Sequence, residues 1–191
     1  GTHPDYRNKG FMKALIEYSF ELNRDKDLCI LITAEHSLKD YYGKFGFCEM
    51  GCLYESKIYS FVSGVRYRQV FDYSDVNDIY ERNMKNCFHN KRSLKDWENI
   101  FLCSKCNVYS SGDSYFVAEW YNDSLYICEH IGDNAVALVQ QFLADNDIES
   151  ASMMCFDGLT ERVESKQICM YKTIQEINQG FKTGYLNLLF N

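Results

Sequence analysis

His3-Pro4-Asp5-Tyr6-Arg7-Asn8-Lys9-Gly10-Phe11-Met12 is the stretch on which the reading of this chain turns. From it onward Phe11, Met12, Leu15, Ile16 and Phe20 recur at helical spacing, which predicts a helix from about Asn8 to Arg24. The stretch therefore opens a helix. Such an end leaves backbone N–H groups unpaired and carries a partial positive charge. Gly10 lets a phosphate approach the backbone closely, and Arg7 and Lys9 add charge, so the loop is a candidate pyrophosphate cradle. The plainer alternative is a solvated basic turn that caps an ordinary helix, and a short glycine loop does not by itself separate the two.

Working outward, Asp25-Lys26-Asp27 breaks the helical pattern, and Leu28-Cys29-Ile30-Leu31-Ile32-Thr33 is a continuous apolar run, as expected of a strand covered on both faces. A short helix is predicted from about Ser37 to Phe45, ended by Gly46. Two strands follow, Phe47 to Tyr54 and Ser56 to Phe61. Ser63-Gly64 is the candidate boundary. Beyond it Tyr67 to Phe71 reads as a strand, and Asp72 or Ser74 caps a helix with Val76, Ile79, Tyr80 and Met84 on its core face. Ser93 opens another helix. Three strands come next, at 107–111, 115–121 and 125–131, joined by the hairpin turns Gly112-Asp113 and Asn122-Asp123. A helix at 134–144 and a strand at 149–156 follow. In the tail a helix and strands at 168–171 and 186–190 complete the pattern. The element order of 64–191 contains that of 1–63 with an added front. This predicts two copies of one α/β (α+β) architecture, the first lacking its front: a mixed, largely antiparallel sheet flanked by helices.

A second motif follows the buried strand: Ala34-Glu35-His36-Ser37-Leu38-Lys39-Asp40-Tyr41-Tyr42-Gly43-Lys44-Phe45-Gly46-Phe47. Together the two segments resemble the GCN5-related N-acetyltransferase (GNAT) family. There a proline-, arginine- and glycine-bearing loop binds the diphosphate of acetyl-CoA, and a Tyr-x-Lys-x-Gly-Phe stretch follows one strand and one helix later. Tyr42-Gly43-Lys44-Phe45-Gly46-Phe47 matches that stretch at the family's spacing. The wording looks most like the multi-domain subgroup typified by the enhanced-intracellular-survival acetyltransferases, whose members carry a second, degenerate GNAT-like domain. The resemblance thus implies the C-terminal part of a GNAT acetyltransferase domain over 1–63 and a degenerate GNAT-like domain over 64–191. It covers about the first 60 residues by motif and the rest by architecture. The chain departs from the family pattern at Met12, where a small residue is usual, and at Glu35, where many members carry an asparagine.

The resemblance implies an acetyl-CoA-dependent N-acetyltransferase acting on a primary amine. Tyr42 would be the general acid that supplies a proton to the departing thiolate; the plainer reading is a packing aromatic beside Tyr41. Cofactor contacts would come from His3, Arg7, Asn8, Lys9, Gly10, Phe11 and Met12, mostly through backbone, and from Thr33, which with Ile32 would flank the pantetheine arm. A backbone N–H near Thr2 and His3 would polarise the acetyl oxygen. His3, Glu35, His36 and the terminal carboxylate of Asn191 are the candidates for the base, although His3 reads more simply as a surface histidine. The corresponding loop of the second copy, Glu129-His130-Ile131-Gly132-Asp133-Asn134-Ala135, has no arginine or lysine, and Asp133 would repel phosphate. That copy is expected not to bind the cofactor.

The composition limits the alternatives. The 191 residues are 46% hydrophobic, 25% charged and 16% aromatic, enough for real cores. A net charge of −7 argues against nucleic-acid binding by bulk electrostatics and suits a cationic acceptor such as an aminoglycoside or polyamine. No stretch is long and apolar enough to span a membrane, and the first residues lack the pattern of a signal peptide. The nine cysteines, an odd count, read as reduced thiols of a cytoplasmic protein. Cys103-Ser104-Lys105-Cys106 has zinc-ligand spacing, but the only second pair, Cys48 and Cys52, falls at strand positions, so no metal site is predicted. The expected partner is a small-molecule amine, with homo-oligomerisation left open. The competing class is a non-catalytic domain that keeps the fold for binding or assembly; a metal-bound regulatory module is the third.

Overall fold

The computed structural model describes residues 3–86, 88–102, 106–156, 163–175 and 184–185. In chain order the elements are a single 3-10 turn (Pro4–Tyr6), α1 (Phe11–Leu22), β1 (Leu28–Ile32), a second 3-10 turn (His36–Leu38), α2 (Lys39–Gly43) and β2 (Cys48–Tyr59). Next come β3 (Arg68–Val70), α3 (Tyr73–Met84), β4 (Phe88–His89), α4 (Leu94–Leu102), β5 (Cys106–Ser111), β6 (Ser114–Tyr121) and β7 (Ser124–Ile131). The chain continues through α5 (Ala135–Asp145), β8 (Ser150–Phe156), β9 (Val163–Thr173) and β10 (Gly184–Tyr185).

Eight strands form one sheet in the order β1-β9-β2-β8-β7-β6-β5-β3, while β4 and β10 pair separately. Every neighbouring pair in the large sheet is antiparallel except β7 and β8, which run parallel and share only the pairs Tyr126–Ser152 and Ile127–Met153. The mixed, largely antiparallel sheet flanked by helices is therefore present. The segments 1–63 and 64–191 share it, because β9, late in the chain, lies between β1 and β2.

Local chemistry accounts for the element ends. Asp72 accepts a hydrogen bond from the Ser74 amide at 2.9 Å and caps α3. Ser93 and Asp96 exchange bonds in a capping box that starts α4. Asn122 and Asp123 both adopt left-handed φ, as a two-residue hairpin turn requires. One expectation needs correction: the two strands expected at Phe47–Tyr54 and Ser56–Phe61 are one, β2. Its alternation changes phase because the ladder to β9 is irregular at Glu49/Gly51, Leu53/Tyr54 and Tyr54/Glu55, so a bulged strand mimics a break. The strand expected at 186–190 lies outside the described residues, and among the described residues of the tail there is no helix.

The sheet buries three clusters. On one face α5 packs Leu138, Phe142 and Leu143 over Phe116, Ile127 and Met153. On the other, α3 and α4 pack Tyr80, Ile79 and Trp97 over Val108, Tyr115 and Val117. That second core holds an ion pair, in which Arg92 donates to both carboxylate oxygens of Glu129 while Tyr115 donates to the same carboxylate. The Arg92 guanidinium lies 4.3 Å from the Tyr80 ring centre and 4.7 Å from that of Trp97. Burial alone would lower the Arg92 pKa; the Glu129 charge outweighs it and the arginine is held ionised. The third cluster is small: Phe47, Ile168 and Met170, with Phe20, Tyr42 and Phe45 packed against it.

Candidate active site

The small third cluster carries the candidate site. α1 and α2 stand side by side at the β1–β9–β2 end of the sheet, and between them opens a cleft of about 1100 Å³. On the α1 side it is lined by Arg7, Asn8, Gly10, Phe11, Met12 and Lys13. Across it stand Ala34, Leu38, Tyr41, Tyr42, Lys44 and Phe45. Two motifs about thirty positions apart in sequence thus face the same space.

Pro4 starts the 3-10 turn with its fixed φ, and the Tyr6 amide closes on the His3 carbonyl at 2.9 Å. The chain then reverses through two left-handed residues, Asn8 at φ 60° and Gly10 at φ 79°. Asparagine tolerates that region better than most residues, and glycine enters it freely. A Cβ at Gly10 would meet nothing within 4 Å, so the glycine serves the backbone angle rather than a tight contact. Gly10 is also the N-cap of α1 and supplies no side-chain oxygen. The first-turn amides of α1 are therefore left to an external acceptor, next to Arg7 and Lys13.

On the other wall the Lys39 ammonium hydrogen-bonds Glu49 and ties the start of α2 to β2. That bond, more than charge alone, holds the Glu49 carboxyl below its ordinary pKa. The turn that follows α2 closes at Gly46, whose φ of 84° leads the chain into β2. Tyr42 packs edge-on against Tyr41 at 5.4 Å and Phe47 at 6.0 Å. Among the described residues its hydroxyl has no hydrogen-bond partner. Tyr42 thus packs among aromatic rings and also lines the cleft.

The remaining candidates are placed elsewhere. His3 is exposed and accepts the Asp5 amide on Nδ1 at 3.4 Å; it does not line the cleft. The Lys9 ammonium lies 5.1 Å from the Tyr6 ring centre and is outside the lining as well. Thr33 is buried. Its amide donates to the Ile168 carbonyl at 2.9 Å and its hydroxyl accepts from the Ile168 amide at 3.0 Å, which clamps the end of β1 to β9. Its neighbour Ala34 reaches the cleft instead. Glu35 accepts from the Ser37 hydroxyl and, like His36, stays outside the lining. Thr2, Asn191 and Cys103–Lys105 lie outside the described residues. Among the described residues no three His, Cys, Asp or Glu side chains gather as a metal ion would need, seven cysteines are free thiols, and no helix is long and apolar enough to cross a membrane.

The reading of the sequence missed Lys13, Glu17, Tyr41 and Lys44 as lining residues. Lys13 and Glu17 are one helical turn apart, 3.8 Å between their charges, and that i,i+4 spacing was the available signal.

The loop at Glu129–Ala135 is built differently. Gly132 has φ 101°, and a Cβ there would lie 2.3 Å from the Asp113 carbonyl oxygen and 2.4 Å from Ser114 Oγ. The Asn134 amide, at the start of α5, donates to Ser114 Oγ at 3.0 Å. Here the chain occupies the space beside the glycine and one amide at the helix start.

Comparison with solved structures places this architecture. A GCN5-related N-acetyltransferase from Kribbella flavida superposes with a TM-score of 0.72 at 13% identity, over 91% of this chain and 50% of that one. The fold is that of the GCN5-related N-acetyltransferases. A conserved protein of unknown function from Enterococcus faecalis V583, described as a probable N-acyltransferase, gives a TM-score of 0.67 at 14% identity, over 92% of this chain and 53% of that one. Eis1 from Mycobacterium abscessus gives 0.57 at 13%, over 91% and 55%. The chain spans about half the length of these structures. No family model and no curated protein matches the sequence.

Proposed function

We propose that the chain carries out, or forms part of, an N-acetyltransferase that moves an acetyl group from acetyl-CoA to a primary amine. The single observation that carries this is the convergence of the open α1 N-terminus and Tyr42 on one cleft. The first-turn amides of α1, with Arg7 and Lys13, suit the pyrophosphate of acetyl-CoA. Phe11, Met12, Leu38 and Phe45 suit its apolar arm. The amine nitrogen attacks the thioester carbonyl, the C–S bond breaks, and the Tyr42 hydroxyl gives its proton to the thiolate. The proton shed by the amine restores the phenol. The acidic net charge favours a polycationic acceptor.

In this reading Thr33 supports the site through the β1–β9 clamp, and the side-chain contacts to the cofactor come from residues that line the cleft. The Glu129–Ala135 loop serves structure, with its helix start closed by Ser114.

The alternative is a non-catalytic domain of the same fold. It is favoured by the outer edge of β1, which pairs with β9 alone among the described residues and so offers unpaired strand backbone to a partner. Titration calorimetry with acetyl-CoA separates the two readings: saturable heat supports the enzyme, and no heat supports the alternative. Under the enzyme reading, Tyr42→Phe lowers kcat by about tenfold to a hundredfold with an unchanged melting temperature. Full activity in that variant would leave Tyr42 a packing residue only.

A further inference from the structure

Lys172, one residue from the C-terminal end of β9, bridges the turn that follows α2 and the face of α1 that meets the sheet. Its ammonium donates to the Phe45 carbonyl at 2.7 Å and sits 3.9 Å from the centre of the Phe20 ring. Phe45 belongs to the turn that ends α2, and Phe20 is on α1. The lysine stem also packs beneath Gly46, where a Cβ would meet its Cε and Nζ at 3.7 Å. Phe47 completes the node, with its ring 5.8 Å from Phe20 and 6.0 Å from Tyr42.

α1 and α2 need such a tie. α1 has no buried residue, and only Ile16, Ser19 and Phe20 along it are even half-buried. α2 has five residues, too few to be stable without outside partners. Its last carbonyls, of Tyr41, Tyr42 and Gly43, are taken by amides of the following turn, and the Phe45 carbonyl of that turn accepts from Lys172. A cation over an aromatic face adds a second attraction at the same atom.

We infer that Lys172 is a positioning residue that sets α2, and with it Tyr42, at a fixed distance from α1, so that one ammonium on the sheet holds the width of the cleft. The link to Tyr42 chemistry rests on the acetyltransferase reading; the link to cleft geometry does not.

The test compares Lys172→Met, which keeps the apolar stem, with Lys172→Arg, which keeps a cationic donor. Hydrogen exchange is followed in the unliganded protein at the amides of Lys44, Phe45, Gly46 and Phe47, which bond to the carbonyls of Tyr41 to Gly43. In Lys172→Met these amides exchange about tenfold faster or more, as loss of a charged hydrogen bond implies, while those of Thr33 and Ile168 in the sheet are unchanged. Lys172→Arg restores protection. In parallel, acetyl-CoA binds about tenfold more weakly to Lys172→Met and near normally to Lys172→Arg. Unchanged exchange at 44–47, or a uniform rise across sheet and turn, overturns the inference. If the unaltered protein fails to bind acetyl-CoA, the acetyltransferase reading falls, and the exchange measurement still decides the role of Lys172.

Discussion

Two described helices follow a left-handed glycine, Gly10 directly before α1 and Gly132 three residues before α5, and only the first glycine has open space where a side chain would go. Before α1, Gly10 at φ 79° has nothing within 4 Å of where a side chain would go, and the flanking residues include Arg7 and Lys13. Before α5, Gly132 at φ 101° is pressed against Asp113 and Ser114, the Asn134 amide is already bonded, and the loop carries Asp133. The strand entering the second loop, β7, brings the buried Glu129–Arg92 pair. A helix N-terminus is an anion site only where the chain has not spent its amides on itself.

The largest effect expected from altering either region belongs to the closed one. Glu129→Gln leaves the Arg92 charge buried without its counter-ion and destabilises the fold by about 3–5 kcal/mol. Chemical denaturation measures this, and a loss under 1 kcal/mol would mean that the pair is relieved by water. Next comes Gly132→Ala, which adds left-handed strain to a collision with backbone, about 2–4 kcal/mol together. Gly10→Ala meets strain alone and costs about 1–2 kcal/mol, yet it weakens acetyl-CoA binding, which Gly132→Ala leaves unchanged per folded molecule. Equal destabilisation by the two alanines would erase the contrast between the loops.

Arg7→Glu reverses charge beside the open helix start and lowers acetyl-CoA affinity about tenfold by calorimetry, with melting temperature held. Unaltered affinity would move the cradle elsewhere. The smallest effect is a pH dependence in the closed loop. Burial holds the His130 imidazole below its ordinary pKa, against the opposing charge of Glu129. The folded state then binds fewer protons than the unfolded chain once pH falls below about 6.5. Stability contributed by the neutral imidazole is full above that value and is lost as pH falls toward the lowered folded pKa. Thermal melts between pH 8 and 5 are expected to slope less in His130→Gln than in the parent. Parallel slopes would show His130 titrating as it does in water.

Much of this architecture was legible from residues alone because its signals are short. Asp72 before α3, Ser93 with Asp96 at α4, and Asn122-Asp123 between β6 and β7 each act on backbone within three positions. The bulges of β2 escaped because an extra residue shifts the alternation and looks like a strand end. The setting of Thr33 was not legible for a different reason: its burial and its hydroxyl bond depend on Ile168, a residue 135 positions away.

Residue order was sufficient to locate a glycine-led helix start at Gly10 and an aromatic motif at Tyr42, since glycine geometry, charge and helical period are properties of neighbours in the chain. The insertion of β9 between β1 and β2, the plugging of Gly132 by Asp113 and Ser114, and the bridge from Lys172 to Phe45 and Phe20 came from folding. These contacts join residues far apart in the chain, and their energies exist only once the sheet has brought them within bonding distance.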